Sequence, residues 1–283
     1  MKYFILSLLF ISCAALEKSK VDKNEYLSIS VEEVVSGEFL PYIKIIMDGV
    51  ERKLLLDTGA YKSSVETDEW SKTYSPIESD QTHFSHGASG IKVKCDLIEI
   101  KKIEIGDVHL ANHYIERCKR NIFGLDLIGD SPFEVDYKNK KLKYLSVLDK
   151  AASQKLRRMR SGHLTVKTKL NGREYNTIID TGATATVVDL SFVQKYPKLF
   201  KLVKRDDGID GHSGESIESY RYQLLELMVG DKTLRDISII AFDFPDNMKK
   251  GLKGSPIMIG NNIIGLAIWQ FDLRNMLWNM KEY

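Results

Sequence analysis

A chain of 283 residues is long enough for two domains with separate cores, and a hydrophobic content of 43% excludes disorder as its default state. Its 41 basic and 39 acidic residues leave a formal charge of +2, so nothing electrostatic argues for a nucleic acid partner.

The N-terminus comes first in chain order. Lys2 precedes an apolar run, Tyr3–Ser12, which ends at Cys13-Ala14-Ala15. The run is too short to cross a bilayer but suits the apolar region of a signal peptide. Two processing routes are open: cleavage among Ser12–Ala15, or lipid attachment at Cys13. The stretch Phe10-Ile11-Ser12-Cys13 resembles a loose bacterial lipobox, which implies a membrane-anchored lipoprotein; simple cleavage implies a periplasmic or extracellular protein. Residues 1–15 are thus expected to be a signal, and the polar residues 16–30 a spacer. No later segment has the length and apolarity of a transmembrane helix. The other two cysteines, Cys95 and Cys118, pair or stay as separate buried thiols; spacing alone does not decide.

Residues 31–146 read as a β-rich unit. Short runs such as "YIKIIM" and "KVKCDLIEI" alternate apolar and polar residues between Gly-containing turns. A turn or two of helix is expected within Val65–Tyr74. Residues 147–161 have helix formers, a basic end (Arg157, Arg158, Arg160) and no strand pattern, and read as a linker with a solvated basic face. Residues 162–283 form a second β-rich unit, with "HLTVKTKL" and "DISIIAF" as strands and a short helix expected within Ser191–Val203.

The two units repeat each other. "LLLDTGA" and "TIIDTGA" place Asp57 and Asp180 123 positions apart, with Gly49 and Gly172 each eight residues upstream. "HGASG" and "GHSGE" align Gly87 with Gly211 and Gly90 with Gly214. "IEIGD" and "LMVGD" align Gly106 with Gly230. "IFGLDLIGDSPFEVDY" and "MIGNNIIGLAIWQFDL" then align Gly124 with Gly260 and Asp136 with Asp272. The dozen-residue drift in register is absorbed near "DFPDNMKKGLKGSP".

A carboxylate at the end of a buried strand is held in place by that strand. A following Thr offers a hydrogen bond, and a following Gly allows close backbone approach. Two such carboxylates brought together share a proton, so one acts as acid while its partner takes a proton from water. That chemistry adds water to an amide without metal or covalent intermediate.

On these residues the chain resembles the retropepsin-like aspartic peptidases. Both Asp-Thr-Gly-Ala loops fit, as do the hydrophobic-hydrophobic-Gly strands Ile122-Phe123-Gly124 and Met258-Ile259-Gly260. The resemblance implies an all-β fold with few short helices: two retropepsin-like (acid-protease) β-barrel domains related by a pseudo-twofold axis in one chain. It further implies Asp57 and Asp180 as the catalytic dyad, supported by Thr58, Gly59, Ala60, Thr181, Gly182 and Ala183. Flaps over an extended polypeptide substrate would lie at Gly87, Ala88, Ser89 and Gly90 and at Gly211, His212, Ser213 and Gly214. Neither flap has the Tyr of pepsin-like enzymes. The implied protein is a monomeric aspartic endopeptidase with no cofactor, no metal and no nucleic acid partner. His83 and His86 lack a third metal ligand. The competing readings are a catalytically silent peptide-binding protein with the same fold and a purely structural lipoprotein. The intact loops argue against both.

Overall fold

The computed structural model describes residues 26–35, 38–77, 83–86, 90–209, 214–252 and 254–283. Cys13 and the rest of the N-terminal segment, and the flap residues Gly87, Ala88, Ser89, Gly211, His212 and Ser213, lie outside them.

In chain order the first half holds β1 (Tyr26–Val35), β2 (Glu38–Met47), β3 (Val50–Leu56), β4 (Ser64–Glu66), β5 (His83–His86), β6 (Lys92–Ile105), β7 (Val108–Cys118) and β8 (Ile122–Phe123). After these come α1 (Leu125–Ile128), β9 (Phe133–Asp136) and β10 (Lys141–Tyr144). Two short strands follow, β11 (Gln154–Lys155) and β12 (Arg157–Arg158). The second half continues with β13 (Leu164–Leu170), β14 (Arg173–Ile179), β15 (Thr186–Asp189), α2 (Leu190–Lys195), β16 (Phe200–Ile209), β17 (Ser216–Val229) and β18 (Lys232–Phe242). It closes with α3 (Asp246–Gly251), β19 (Ile257–Ile259), α4 (Asn261–Ile264), β20 (Ala267–Asp272) and β21 (Leu277–Glu282). The protein is mostly β, with short helices.

Alternating burial makes these segments strands. On β6, Val93, Cys95, Ile98, Ile100, Ile103 and Ile105 turn inward, and the charged residues between them face out. The turns before the Asp-Thr-Gly strands have a local cause. Asp48-Gly49 (φ 47° and 80°) and Asn171-Gly172 (φ 50° and 73°) both take positive φ at two consecutive residues. Tight hairpins need that geometry, and Asp, Asn and Gly tolerate it.

The same pairings recur in both halves. Strand β3 lies parallel to β8 with Leu56 opposite Phe123, and β14 parallel to β19 with Ile179 opposite Ile259. Strand β4 lies parallel to β7, and β15 to β18. Hairpins β6–β7 and β17–β18 share one register, with Ile100 opposite His113 and Leu224 opposite Ile237.

A continuous sheet crosses between the halves. Across the junction its strands run β11-β21-β20-β9-β10-β1 before continuing through β2 into the first half, and β20 pairs with β9 through Trp269↔Val135, Gln270↔Glu134 and Phe271↔Phe133. Phe133, Trp269, Phe271 and Trp278 are all buried there, with Phe133–Phe271 centroids 5.2 Å apart and Trp269–Trp278 5.4 Å apart. Burying large aromatics on a shared sheet makes this junction apolar and permanent in character.

Several expectations need correction. The expected spacer 16–30 contains the start of β1 at Tyr26, which pairs with β10 and β2. Leu27, Ile29 and Val31 alternate toward the core there, a pattern masked by the polar residues just upstream. The expected linker 147–161 contains β11 and β12 rather than helix. Each is a two-residue strand that forms because a neighbouring edge, β21 or β13, offers it partners. Cys95 and Cys118 are disulfide-bonded, a question the sequence left open. They stand opposite one another across β6 and β7, so the strand register brings them together. The insertion after β18 carries α3 and packs Phe244 and Leu252 against Ile178, Phe242 and Met258.

Candidate active site

Asp57 follows the buried Leu54-Leu55-Leu56 end of β3, and its N–H donates to Phe123 O at 3.0 Å. Asp180 follows β14, and its N–H donates to Ile259 O at 2.9 Å. The strands behind therefore fix where each loop begins. The loops are also closed alike from the rear: Leu125 N–H donates to Ala60 O at 3.0 Å, and Asn261 N–H to Ala183 O at 2.9 Å. Gly124 and Gly260 make this closure possible, since a Cβ at either would fall under 3 Å from the backbone of the Asp-Thr-Gly loop in front of it.

Thr58 and Thr181 bind each other across the junction. Thr58 N–H donates to Thr181 Oγ1 at 2.9 Å, and Thr181 N–H to Thr58 Oγ1 at 3.2 Å. Each hydroxyl then donates to a carbonyl of the opposite half, Thr58 Oγ1 to Ile179 O at 2.8 Å and Thr181 Oγ1 to Leu56 O at 2.6 Å. Both threonines are buried. Four mutual bonds in a dry setting leave the loops one relative position.

That position brings the carboxyls together. A Cβ on Gly59 would stand 2.6 Å from Asp180 Cγ, and one on Gly182 would stand 2.5 Å from Asp57 Cγ. Burial, the negative charge of Asp180 and their mutual hydrogen bond raise the Asp57 carboxyl well above the usual range. Burial raises Asp180 too, opposed by the bond from Asp57 and by the Gly182 N–H at 2.8 Å from its Oδ1. Two like charges in contact cannot both ionise easily, so the arrangement suits one shared proton.

Ala60 and Ala183 close the two turns through backbone bonds to Asp57 O and Asp180 O, at 3.2 and 3.3 Å. Gly90 (φ 75°) and Gly214 (φ 80°) stand just before β6 and β17, the second strands of hairpins β5–β6 and β16–β17. Among the described residues, the grouping with metal-ligand spacing is Cys95, Glu116 and Cys118, and its two sulfurs are already bonded to each other.

Several residues around the loops escaped the sequence reading. Asn261 Nδ2 donates to Thr181 O at 2.8 Å and to Phe39 O at 3.0 Å, while the buried Tyr137 hydroxyl donates to Asn261 Oδ1 at 3.1 Å. The buried Glu38 accepts from Thr184 Oγ1 at 3.1 Å and pairs with Arg221 of β17. His163 has its imidazole pushed down by burial, with the charge of Asp180 acting in the opposite direction. An asparagine within the apolar "IMIGNNII" was the one visible hint; the others depend on contacts distant in sequence.

No curated protein matches the chain. Over residues 166–262, from β13 through the Asp180 loop to α4, the chain is similar to the family described as gag-polyprotein putative aspartyl protease, and the retropepsin-like assignment fits that stretch.

Proposed function

We propose that the protein is an aspartic endopeptidase in which Asp57 and Asp180 activate one water against a peptide bond. One observation carries this reading: two buried carboxyls pressed together across the two loops and braced by reciprocal threonine bonds. The family match over residues 166–262 supports a peptidase in general.

In this mechanism ionised Asp180 takes a proton from a water lying between the carboxyls. The water oxygen bonds to the scissile carbonyl carbon, and Asp57 gives its proton to the carbonyl oxygen. When the tetrahedral diol collapses, a proton passes to the amide nitrogen and the C–N bond breaks, leaving a carboxyl and an amine. Thr58, Thr181, Gly59 and Gly182 position the dyad, and Ala60 and Ala183 close its loops. The substrate is an extended polypeptide held by main-chain bonds between two retropepsin-like domains related by a pseudo-twofold axis, under flaps at 87–90 and 211–214. The site is complete within one chain, so the active species is a monomer. We also propose export, by cleavage after a signal or by a lipid on Cys13; the Cys95–Cys118 disulfide suits an oxidising compartment.

The test is cleavage of a denatured protein in mild acid, with and without pepstatin, by wild type, Asp57→Asn and Asp180→Asn. Turnover blocked by pepstatin and lost in both variants is expected. Substantial turnover in either variant rules out a two-carboxylate mechanism.

A further inference from the structure

Behind the Asp-Thr-Gly loops the two halves tie the loop down with different side chains. In the second half, Thr186 and Asn262 tie the loop down. Asn262 Oδ1 accepts from Thr186 N at 2.7 Å and from its Oγ1 at 2.8 Å, and Asn262 Nδ2 donates to Ser238 O at 2.6 Å. Gly260 N–H donates to Thr186 Oγ1 at 3.2 Å. In the first half Ser63 and Asp126 take those places. Ser63 Oγ donates to Asp126 Oδ1 at 2.5 Å, and Gly124 N–H donates to Ser63 Oγ at 2.9 Å.

A carboxylate cannot donate as the Asn262 amide does, so the second oxygen of Asp126 needs another partner. It faces His113, at the register position that Ile237 fills in the second half. Asp126 Oδ2 and His113 Nε2 lie 3.8 Å apart, within ion-pair reach but too far for a hydrogen bond, and both atoms are buried without one. Burial pushes the Asp126 carboxyl up, but the imidazole and the Ser63 hydroxyl outweigh it and hold it below the usual range.

The surroundings leave the two groups to each other. The inward neighbours of His113 on β6 and β7, Ile98, Ile100 and Ile115, are apolar. On β6, Lys101 pairs with Glu99 and Lys102 with Glu104. Along β7, His109 lies 3.8 Å from Glu104, the Glu116 carboxylate lies 3.8 Å from the disulfide-bonded Cys118 sulfur, and Arg117 pairs with Asp96. On α1, Asp126 itself is the charged residue.

We propose that His113 and Asp126 are a pH-dependent positioning pair for the first catalytic loop, on the reading that this loop carries a catalytic Asp57. In acid the imidazolium closes on the carboxylate, which fixes Ser63 and, through Gly124, the strand end behind Asp57. When the imidazole loses its proton the buried carboxylate is left without a counter-charge, and the loop loosens. The second half, with Ile237 and Asn262, keeps its geometry at any pH.

The test uses the full chain in two arms. In the activity arm, the alkaline limb of kcat/KM in wild type contains two ionisations, the dyad and His113. It steepens toward about a hundredfold per pH unit, against about tenfold in Asp126→Asn and His113→Gln. In the second arm, the inactive Asp57→Asn chain is followed by NMR. The Gly124 amide should shift with the midpoint of the His113 ring resonances, and should stop doing so when Asp126→Asn is added. If the amide variant does not fold, His113→Gln carries the same comparison. A Gly124 amide indifferent to the imidazole, or limbs of equal slope in all three proteins, overturns the proposal. A wild type that cleaves nothing removes the peptidase reading, while the amide titration still decides whether the pair holds the loop.

Discussion

Gly182→Ala tests whether contact between the carboxyls is what the site depends on. The added Cβ would stand 2.5 Å from both Asp57 Cγ and Oδ2, where ordinary contact begins at 3.4 Å. The Asp57 carboxyl must therefore retreat by about 0.9 Å, because Thr58 and Thr181 hold the backbone of both loops. A misplacement near 1 Å in a preorganised site costs on the order of 100-fold in rate, or about 2.7 kcal/mol of barrier. Separating the charges also relieves part of what raises Asp57, so the alkaline limb of activity should move to lower pH. Gly251→Ala is the control, since nothing lies within 4 Å of a Cβ there. The assay is kcat/KM on a quenched peptide across pH, with circular dichroism to establish that each variant is folded. A Gly182→Ala protein within about threefold of wild type, with an unmoved limb, would refute the shared-proton geometry.

Other predictions address charge, assembly and export. The folded pKa of Asp57 is raised, so its contribution to stability is full below the usual carboxylate range and is lost as pH rises through the folded value. Asp57→Asn escapes that loss: its melting temperature should match wild type in strong acid and exceed it at neutral pH, and equal melting at pH 7 would contradict burial as the cause. Ala60 and Ala183 offer the dyad no hydroxyl, so activity should peak at roughly pH 5 to 6. Ala60→Ser with Ala183→Ser should draw the alkaline limb downward, and an optimum near pH 2 in wild type would defeat that argument. Specific activity should hold on dilution through the nanomolar range; a fall that follows a dimer equilibrium would place the site between chains. Cys13→Ser should abolish lipid labelling and release the protein if Cys13 is an anchor, and unchanged membrane association would remove that route.

What could be read from the sequence was what the chain states locally. Asp-Thr-Gly after an apolar run marks a strand end with a close approach, and the Asp48-Gly49 and Asn171-Gly172 hairpins announce the positive φ they adopt. Strand β1 was missed because its alternation begins within a polar stretch. β11 and β12 were missed because a two-residue strand is decided by the edge it meets. The Cys95–Cys118 bond needed the β6–β7 register, which no spacing supplies. Glu38 with Arg221, and Tyr137 with Asn261, join residues more than a hundred positions apart. Nothing near Glu38 or Tyr137 in the sequence points to the partner.

The pattern of likeness between the halves follows from where each contact lies. Contacts between the two Asp-Thr-Gly loops come in matched pairs: Thr58 with Thr181, and each glycine against the opposite aspartate. A change in one of these alone leaves a buried donor or acceptor in the other half unpaired, at a cost of about 1–3 kcal/mol, and it shifts both carboxyls at once. The ties from Ser63 to Asp126 and from Thr186 to Asn262 close within one half and are free of that constraint. There the halves part: a carboxylate and an imidazole against an amide and an isoleucine, and a disulfide at Cys95–Cys118 against Ser219, Phe242 and an insertion. Two identical chains would have to carry every such feature twice. In this single chain the contact between the two loops stays matched while the supports behind it differ, so a response to pH can be built into one loop and left out of the other.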